Sequence, residues 1–239
     1  MIQAVKDTGK LDNTLIIYIS GDNGASPEGT INGTHSEIGI LNGVFPTVAQ
    51  NMKFYDAWGT DQTYPSYAVG WAWAFDTPYQ CTKEVASHFG GTRNGMVMAW
   101  PARIKDASGI RNQFHHVIDV VPTILEAAGI QTPVSVNGIA QKPIEGVSMV
   151  YTWGNADAPG RRTSQYFEMF GSRAMYQDGW IASAPRTNAP WELSLGKLPT
   201  DVRNGFPWHL YNIDKDRTQS KDLAAKCRTS CALCKSCSP

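Results

Sequence analysis

An uninterrupted apolar, β-branched run, Thr14-Leu-Ile-Ile-Tyr-Ile19, stops abruptly at Ser20-Gly21-Asp22-Asn23-Gly24. Such a run suits a strand covered on both faces within a parallel sheet, and so predicts an α/β layer. Met96-Val-Met-Ala-Trp100, ended by Pro101, reads as a second strand of the same kind. Around them the helix signals are local. Ile2 to Lys10 has Ile2 and Val5 on one face and Gly9 near the stop, but no capping residue before Ile2, so the chain is expected to begin inside an element of a longer ancestor. Lys83 to His88 is expected to form a short helix before Gly90-Gly91. Asp119 reads as an N-cap, with a helix over Val120–Ala128, Pro122 in its first turn and Gly129 as its stop. Between Thr30 and Gln80 no period is sustained, and a connection of that length is uncommon unless it carries function.

Beyond residue 150 the texture changes. Gln165–Phe170, Ser172–Tyr176, Trp180–Ser183 and Trp208–Asn212 are short strand patterns, the first three joined by turns at Gly171 and Asp178-Gly179, with a helix starting at Lys221. They predict an antiparallel meander. The expected organisation is an α/β portion over 1–150 with a mixed, mostly parallel sheet flanked by helices. A small antiparallel subdomain follows over 151–226, then a Cys-rich tail over 227–239.

Lys+Arg and Asp+Glu balance at 21 each, which gives no electrostatic case for a nucleic-acid partner or an anionic membrane surface. No apolar stretch reaches the roughly 18 residues of a membrane span, and the first residues lack the pattern of a signal peptide.

Asp22 and Asn23 sit at the end of a strand, where open α/β sheets place ligand sites. Two adjacent oxygen donors between Gly21 and Gly24 suit a hard divalent cation such as Ca²⁺ or Mg²⁺. An Asp-Asn-Gly turn bonded only to its own backbone is the plain alternative. His115 and His116 are adjacent and point apart, so they read as packing or surface residues rather than a metal pair. The aromatic cluster from Trp58 to Tyr79 reads as packing, with a pocket wall as the alternative. Nothing in the spacing of His35 assigns it a role.

Four segments in order carry a family resemblance: Leu11 to Ala25, Thr82 to Arg93, His116 to Gly129, and Pro143 to Ser148. They resemble, respectively, the late metal-ligand strand, the lysine segment before a Gly-Gly-x-Arg turn, the Asp-x-x-Pro-Thr helix, and the approach to the C-terminal subdomain of sulfatases. The match is to the arylsulfatase branch of the alkaline phosphatase superfamily. The resemblance implies a sulfuric ester hydrolase acting on a small-molecule sulfate ester, with Asp22 and Asn23 as Ca²⁺ ligands. Lys83 would face the sulfate, where its ammonium meets negative charge on the transferring group. His88 would hydrogen-bond the leaving oxygen or the sulfate, or be structural, and Arg93 would anchor its turn on carbonyls or a carboxylate. Asn94-Gly95 replaces the family's usual apolar residue and proline after that turn. Family members are often periplasmic or secreted.

The family's nucleophile is a formylglycine made from a Cys/Ser-x-Pro/Ala-x-Arg segment, and these 239 residues contain none. Its paired N-terminal Asp ligands are also missing. The chain thus reads as a C-terminal fragment, expected to be inactive and poorly soluble by itself. A phosphodiesterase or phosphonate hydrolase of the same superfamily stays open, as does a truncated remnant without activity. The tail Cys227, Cys231, Cys234 and Cys237 reads as a frame change or unrelated terminus, with a zinc site as the alternative.

Overall fold

The computed structural model describes residues 1–21, 24–106, 108–190, 192, 201 and 204–226. The Asp22-Asn23 pair and the Cys-rich tail lie outside the described residues. Contacts divide the chain into two compact units: Met1–Ile19 with Met96–Gln165, and Ser20–Gly95 with Tyr166–Pro239.

In the first unit α1 (Ile2–Asp7) has no side-chain cap at its start, as its sequence implies. The apolar runs become β1 (Ile16–Ser20) and β2 (Gly95–Ala99), hydrogen-bonded as a two-stranded sheet. They are not covered on both faces. Tyr18 and Val97 are each 64% exposed, because each strand has only the other as a strand neighbour among the described residues. Helix α5 (Val120–Ala128) runs as its caps dictate. Gly129 takes the left-handed conformation at φ 68°, and the N–H groups of Gly129 and Ile130 close on Glu126 O and Leu125 O. A hairpin of β3 (Ser135–Val136) and β4 (Ile139–Ala140) turns on Asn137 and Gly138, both at positive φ, the requirement of the tight hairpin turn.

Asp119 precedes α5 but makes no side-chain capping bond to it. The expected N-cap is instead a fully buried hub. Its Oδ2 accepts from His115 Nδ1 (3.0 Å), His116 N (2.9 Å) and Arg162 Nε (3.0 Å), and its Oδ1 from Val147 N (2.7 Å) and Arg162 Nη2. Burial alone would raise this carboxyl's pKa, but the bonds from His115, Arg162 and the His116 and Val147 amides outweigh it and hold the group well below the usual carboxylate range. His115 and His116 accordingly serve structure: His115 also lies against Tyr151 (5.8 Å between centroids), and His116 caps the turn Val117–Asp119.

In the second unit the segment expected to lack a period is organised by short helices, α2 (Glu37–Leu41), α3 (Val48–Met52) and α4 (Val69–Asp76). Ser36 caps α2, and Thr47 with Gln50 forms a capping box on α3. The expected aromatic packing is largely absent from α4: Trp71, Trp73 and Phe75 are 63%, 51% and 72% exposed. Alternating bulky residues along a helix point all round it, so one buried stripe holds only Ala72. The meander is present as β5 (Ser164–Met169), β6 (Ser172–Gln177), β7 (Trp180–Ala184) and β8 (His209–Asn212), paired in that order. β6–β7 and β7–β8 are antiparallel, and Asp178-Gly179, both at positive φ, makes the first of these turns. Ala174, Ile181, Ala182 and Leu210 are among its buried positions. The helix expected at Lys221 is a set of turns as far as Lys226.

Candidate active site

The residues around Lys83 and His88 lie in the second unit, and two loops of that unit meet there. The first, 24–28, leaves the position of Asp22 and Asn23. Gly24 sits at φ +97°, and a Cβ on it would overlap Gly90 O and come within 2.9 Å of Lys83 N. Only glycine permits so close an approach of two backbones. Ala25 O accepts from Lys83 N (3.1 Å), Ala25 N donates to the Asp76 carboxylate (3.0 Å), and Ser26 N donates to Tyr67 Oη (3.0 Å). The loop that follows the Asp22-Asn23 pair is therefore tied on one side to α4 and on the other to the lysine segment.

That segment, 80–91, is not the expected helix. Cys81 and Glu84 stand at φ +68° and +75°, which breaks any helical run, and turns lead to a short 3-10 stretch at Phe89–Gly91. A Cβ on Gly90 or Gly91 would strike the carbonyls of Gln80, Cys81, Thr82 or Val85, so the segment folds tightly on itself. Burial pushes the Cys81 thiol up to about 11, which keeps it protonated and unreactive near neutral pH.

Lys83 Nζ is paired with Glu28 Oε1 at 2.7 Å, both side chains being partly exposed. The other carboxylate oxygen, Glu28 Oε2, is shut off from solvent and has no hydrogen-bond partner. Burial, and next the charge of Glu28, raise the pKa of Glu84. The charges of Lys83 and Arg186 act on Glu84 in the opposite direction, so the two carboxylates of this corner are set against two cations.

His88 is buried at 5% exposure. Its Nδ1 meets Ser87 Oγ at 2.9 Å, and Ser87 Oγ meets Ser172 Oγ of β6 at 3.0 Å. Ser183 of β7 and Gln219 both bond the Ser87 carbonyl, and Gln219 Oε1 accepts from Phe89 N. His88 also lies edge-on to Tyr211 at 5.8 Å. Burial, followed by the charge of His209, lowers its pKa to about 4, so it is neutral at pH 7.

Arg93 differs from expectation. Its guanidinium lies over the rings of Tyr79 (4.9 Å) and Phe89 (5.8 Å), a cation–π contact at the surface. His35 faces an open groove with Phe54, Asp61 and Tyr64, is stacked on Phe54 at 4.0 Å, and bonds Asn51 through Nδ1. Among the described residues no group of three or more His, Cys, Asp or Glu side chains is placed to hold a metal. No helix among them is long and apolar enough to cross a membrane. Sequence reasoning missed Glu28, Ser172, Ser183 and Gln219. Glu28 stands a few residues past Asn23 and had a local signal; the others approach from far along the chain and had none.

The family model described as Sulfatase matches residues 1–130. A sulfatase of Schizosaccharomyces pombe whose activity is uncharacterised is 26% identical over 234 residues, covering 94% of this chain and 37% of that protein. An arylsulfatase of Klebsiella aerogenes is 28% identical over 176 residues, covering 72% of this chain and 34% of its own length. The chain therefore spans little more than a third of these relatives. Among solved structures, the PsFucS1 sulfatase from Pseudoalteromonas superposes with a TM-score of 0.60 at 16% identity, covering 98% of this chain and 38% of the other. That likeness is one of fold, the α/β fold of sulfatases.

Proposed function

The chain belongs to the sulfatase family, and on that premise we propose that it contributes the calcium loop and the sulfate-facing lysine of a sulfuric ester hydrolase acting on small aryl-type sulfate esters. Asp22 and Asn23 would hold Ca²⁺ through a carboxylate and an amide oxygen, the hard donors that ion takes, and the ion would supply positive charge to a sulfate oxygen. Lys83 exchanges its contact with Glu28 for the incoming sulfuryl oxygens, and His88, neutral and buried, hydrogen-bonds the ester.

One observation carries this reading. Lys83 N bonds the carbonyl of Ala25 at 3.1 Å while Lys83 Nζ holds Glu28 at 2.7 Å, so the lysine is fastened by backbone and side chain to the loop that leaves Asp22-Asn23. The orphaned Glu28 Oε2 adds support, because a buried carboxylate oxygen without a donor is costly unless a cation or donor reaches it. The nucleophile and the remaining metal ligands come from outside these residues, since no Cys/Ser-x-Pro/Ala-x-Arg segment is present.

Calcium is expected to raise the melting temperature of the chain, because a ligand that binds only the folded form stabilises it. Asp22→Ala is expected to abolish the shift, and an equal shift in wild type and variant would overturn the metal assignment. In parallel, the 239 residues alone are expected to leave a chromogenic aryl sulfate unhydrolysed. Calcium-dependent turnover by the purified chain would show that the nucleophile lies within it.

A further inference from the structure

The proton positions around His88 follow from bonds whose direction is forced. Gln219 Oε1 accepts from Phe89 N–H (2.8 Å), which fixes the amide, so Gln219 Nε2 donates to Ser87 O (3.1 Å) and Ser183 Oγ (3.2 Å). Ser183 Oγ in turn donates to Ser87 O (2.7 Å). The Ser87 carbonyl then has both lone pairs in use. Ser87 N–H donates to Ser172 Oγ (3.2 Å), which leaves one hydroxyl proton on Ser172 to place. Ser172 is 1% exposed, and Ser87 Oγ at 3.0 Å receives that proton.

The reverse sense, with Ser87 donating to Ser172, would strand the Ser172 proton in the interior without an acceptor. The penalty for an unmade buried bond biases the two arrangements by roughly five- to a hundredfold. With its lone pair filled by Ser172, Ser87 Oγ–H has His88 Nδ1 before it at 2.9 Å. A neutral imidazole that accepts at Nδ1 carries its proton on Nε2.

We propose that Ser172 and Ser87 are positioning residues that lock His88 as the Nε2–H tautomer, so that the ring offers a hydrogen-bond donor to a sulfuryl or ester oxygen and not a base. The identity of the oxygen rests on the sulfatase reading; the tautomer does not. An Nε2–H donor in a buried site suits a ligand oxygen that gains negative charge. Ser172 and Ser183 stand on neighbouring strands, β6 and β7, so the meander sets the histidine's chemistry from beneath.

The test is a long-range ¹H–¹⁵N correlation spectrum of the full chain, labelled with ¹⁵N-histidine, at neutral pH, with His88→Gln as the assignment control. The wild-type spectrum is expected to show His88 with Nε2 protonated and Nδ1 bare. Ser87→Ala removes the hydroxyl that donates to Nδ1, and is expected to raise the Nδ1–H form at least severalfold. Ser87→Thr, which keeps the hydroxyl, is expected to restore the wild-type pattern. An Nδ1–H or evenly mixed wild-type His88 would overturn the proposal, and so would a Ser87→Ala spectrum unchanged from wild type. The wild-type spectrum is decisive even where a variant does not fold. It reads no turnover, so a failed sulfatase reading and a failed tautomer are separate outcomes.

Discussion

Replacing Asp119 by asparagine is expected to cost about 3–5 kcal/mol of folding stability, the range for breaking one side of a buried ion pair. The carboxylate is completely buried and collects donors from His115, His116, Val147 and Arg162. Asparagine would keep one acceptor oxygen and turn an NH₂ group into that ring of donors. It would also leave the Arg162 guanidinium, itself 8% exposed, without its counter-ion. A urea melt at pH 7 measures the loss as a fall in midpoint at constant slope. The pH dependence adds an independent signature. The folded-state pKa of Asp119 is depressed, so its contribution is fully present above the unfolded aspartate range near about 3.9 and fades as pH falls below it toward the folded value. The gap between wild type and Asp119→Asn should therefore narrow on acidification from pH 5 downward. A gap of under about 1 kcal/mol at pH 7, the size of an exposed pair, would show that Asp119 is not the hub.

The second large effect is expected at Gly24. An alanine there meets two penalties: a positive φ, about 1–2 kcal/mol for an L-residue, and overlap with the backbone at Gly90, typically about 1–3 kcal/mol when the site must give way. Gly43 provides the control, since it has φ +79° but a Cβ added there would meet nothing within 4 Å. Gly43→Ala should show the first penalty alone, and the difference between the two variants isolates the close approach. If Gly24→Ala is no more destabilised than Gly43→Ala, the contact with Gly90 is not rigid. The same variant should lose the calcium-dependent rise in melting temperature, because the loop leaving Asp22-Asn23 can no longer lie against Lys83.

What the sequence revealed was local. Gly129 closes α5 where the helix period ends, and Asp178-Gly179 turns β6 into β7, because such signals are written within a few neighbouring residues. The lysine segment misled for a reason of the same scale. Lys83 to His88 carries ordinary helix formers, yet Cys81 and Glu84 take positive φ to satisfy contacts with loop 24–28 and with Gly90. Tertiary packing overrode propensity there. Asp119 was placed correctly at a helix start, but its partner Arg162 has no sequence mark of its own. Glu28 stood close enough to Asn23 to be suspected, but Gln219 as the clamp on Phe89 was invisible because long-range pairing depends on shape and leaves no period. Exposure was equally hard to read. The apolarity of Tyr18 and Val97 announced a strand but not how many neighbours would cover it.

The division of the chain into interleaved units has a consequence for its synthesis. Phe89 N waits for Gln219 and Ser87 for Ser172, so the lysine segment is made well before the residues that fix it. At ribosomal speeds of about 5–20 residues per second, the gap from residue 89 to residue 219 amounts to roughly 7–26 seconds. During that interval Phe89 N and the Ser87 carbonyl lack the Gln219 side chain that later binds them, while Trp71 and Trp73 of α4 stand exposed. The nascent chain is therefore at its most vulnerable to chaperone capture, or to loss by proteolysis, until Gln219 emerges.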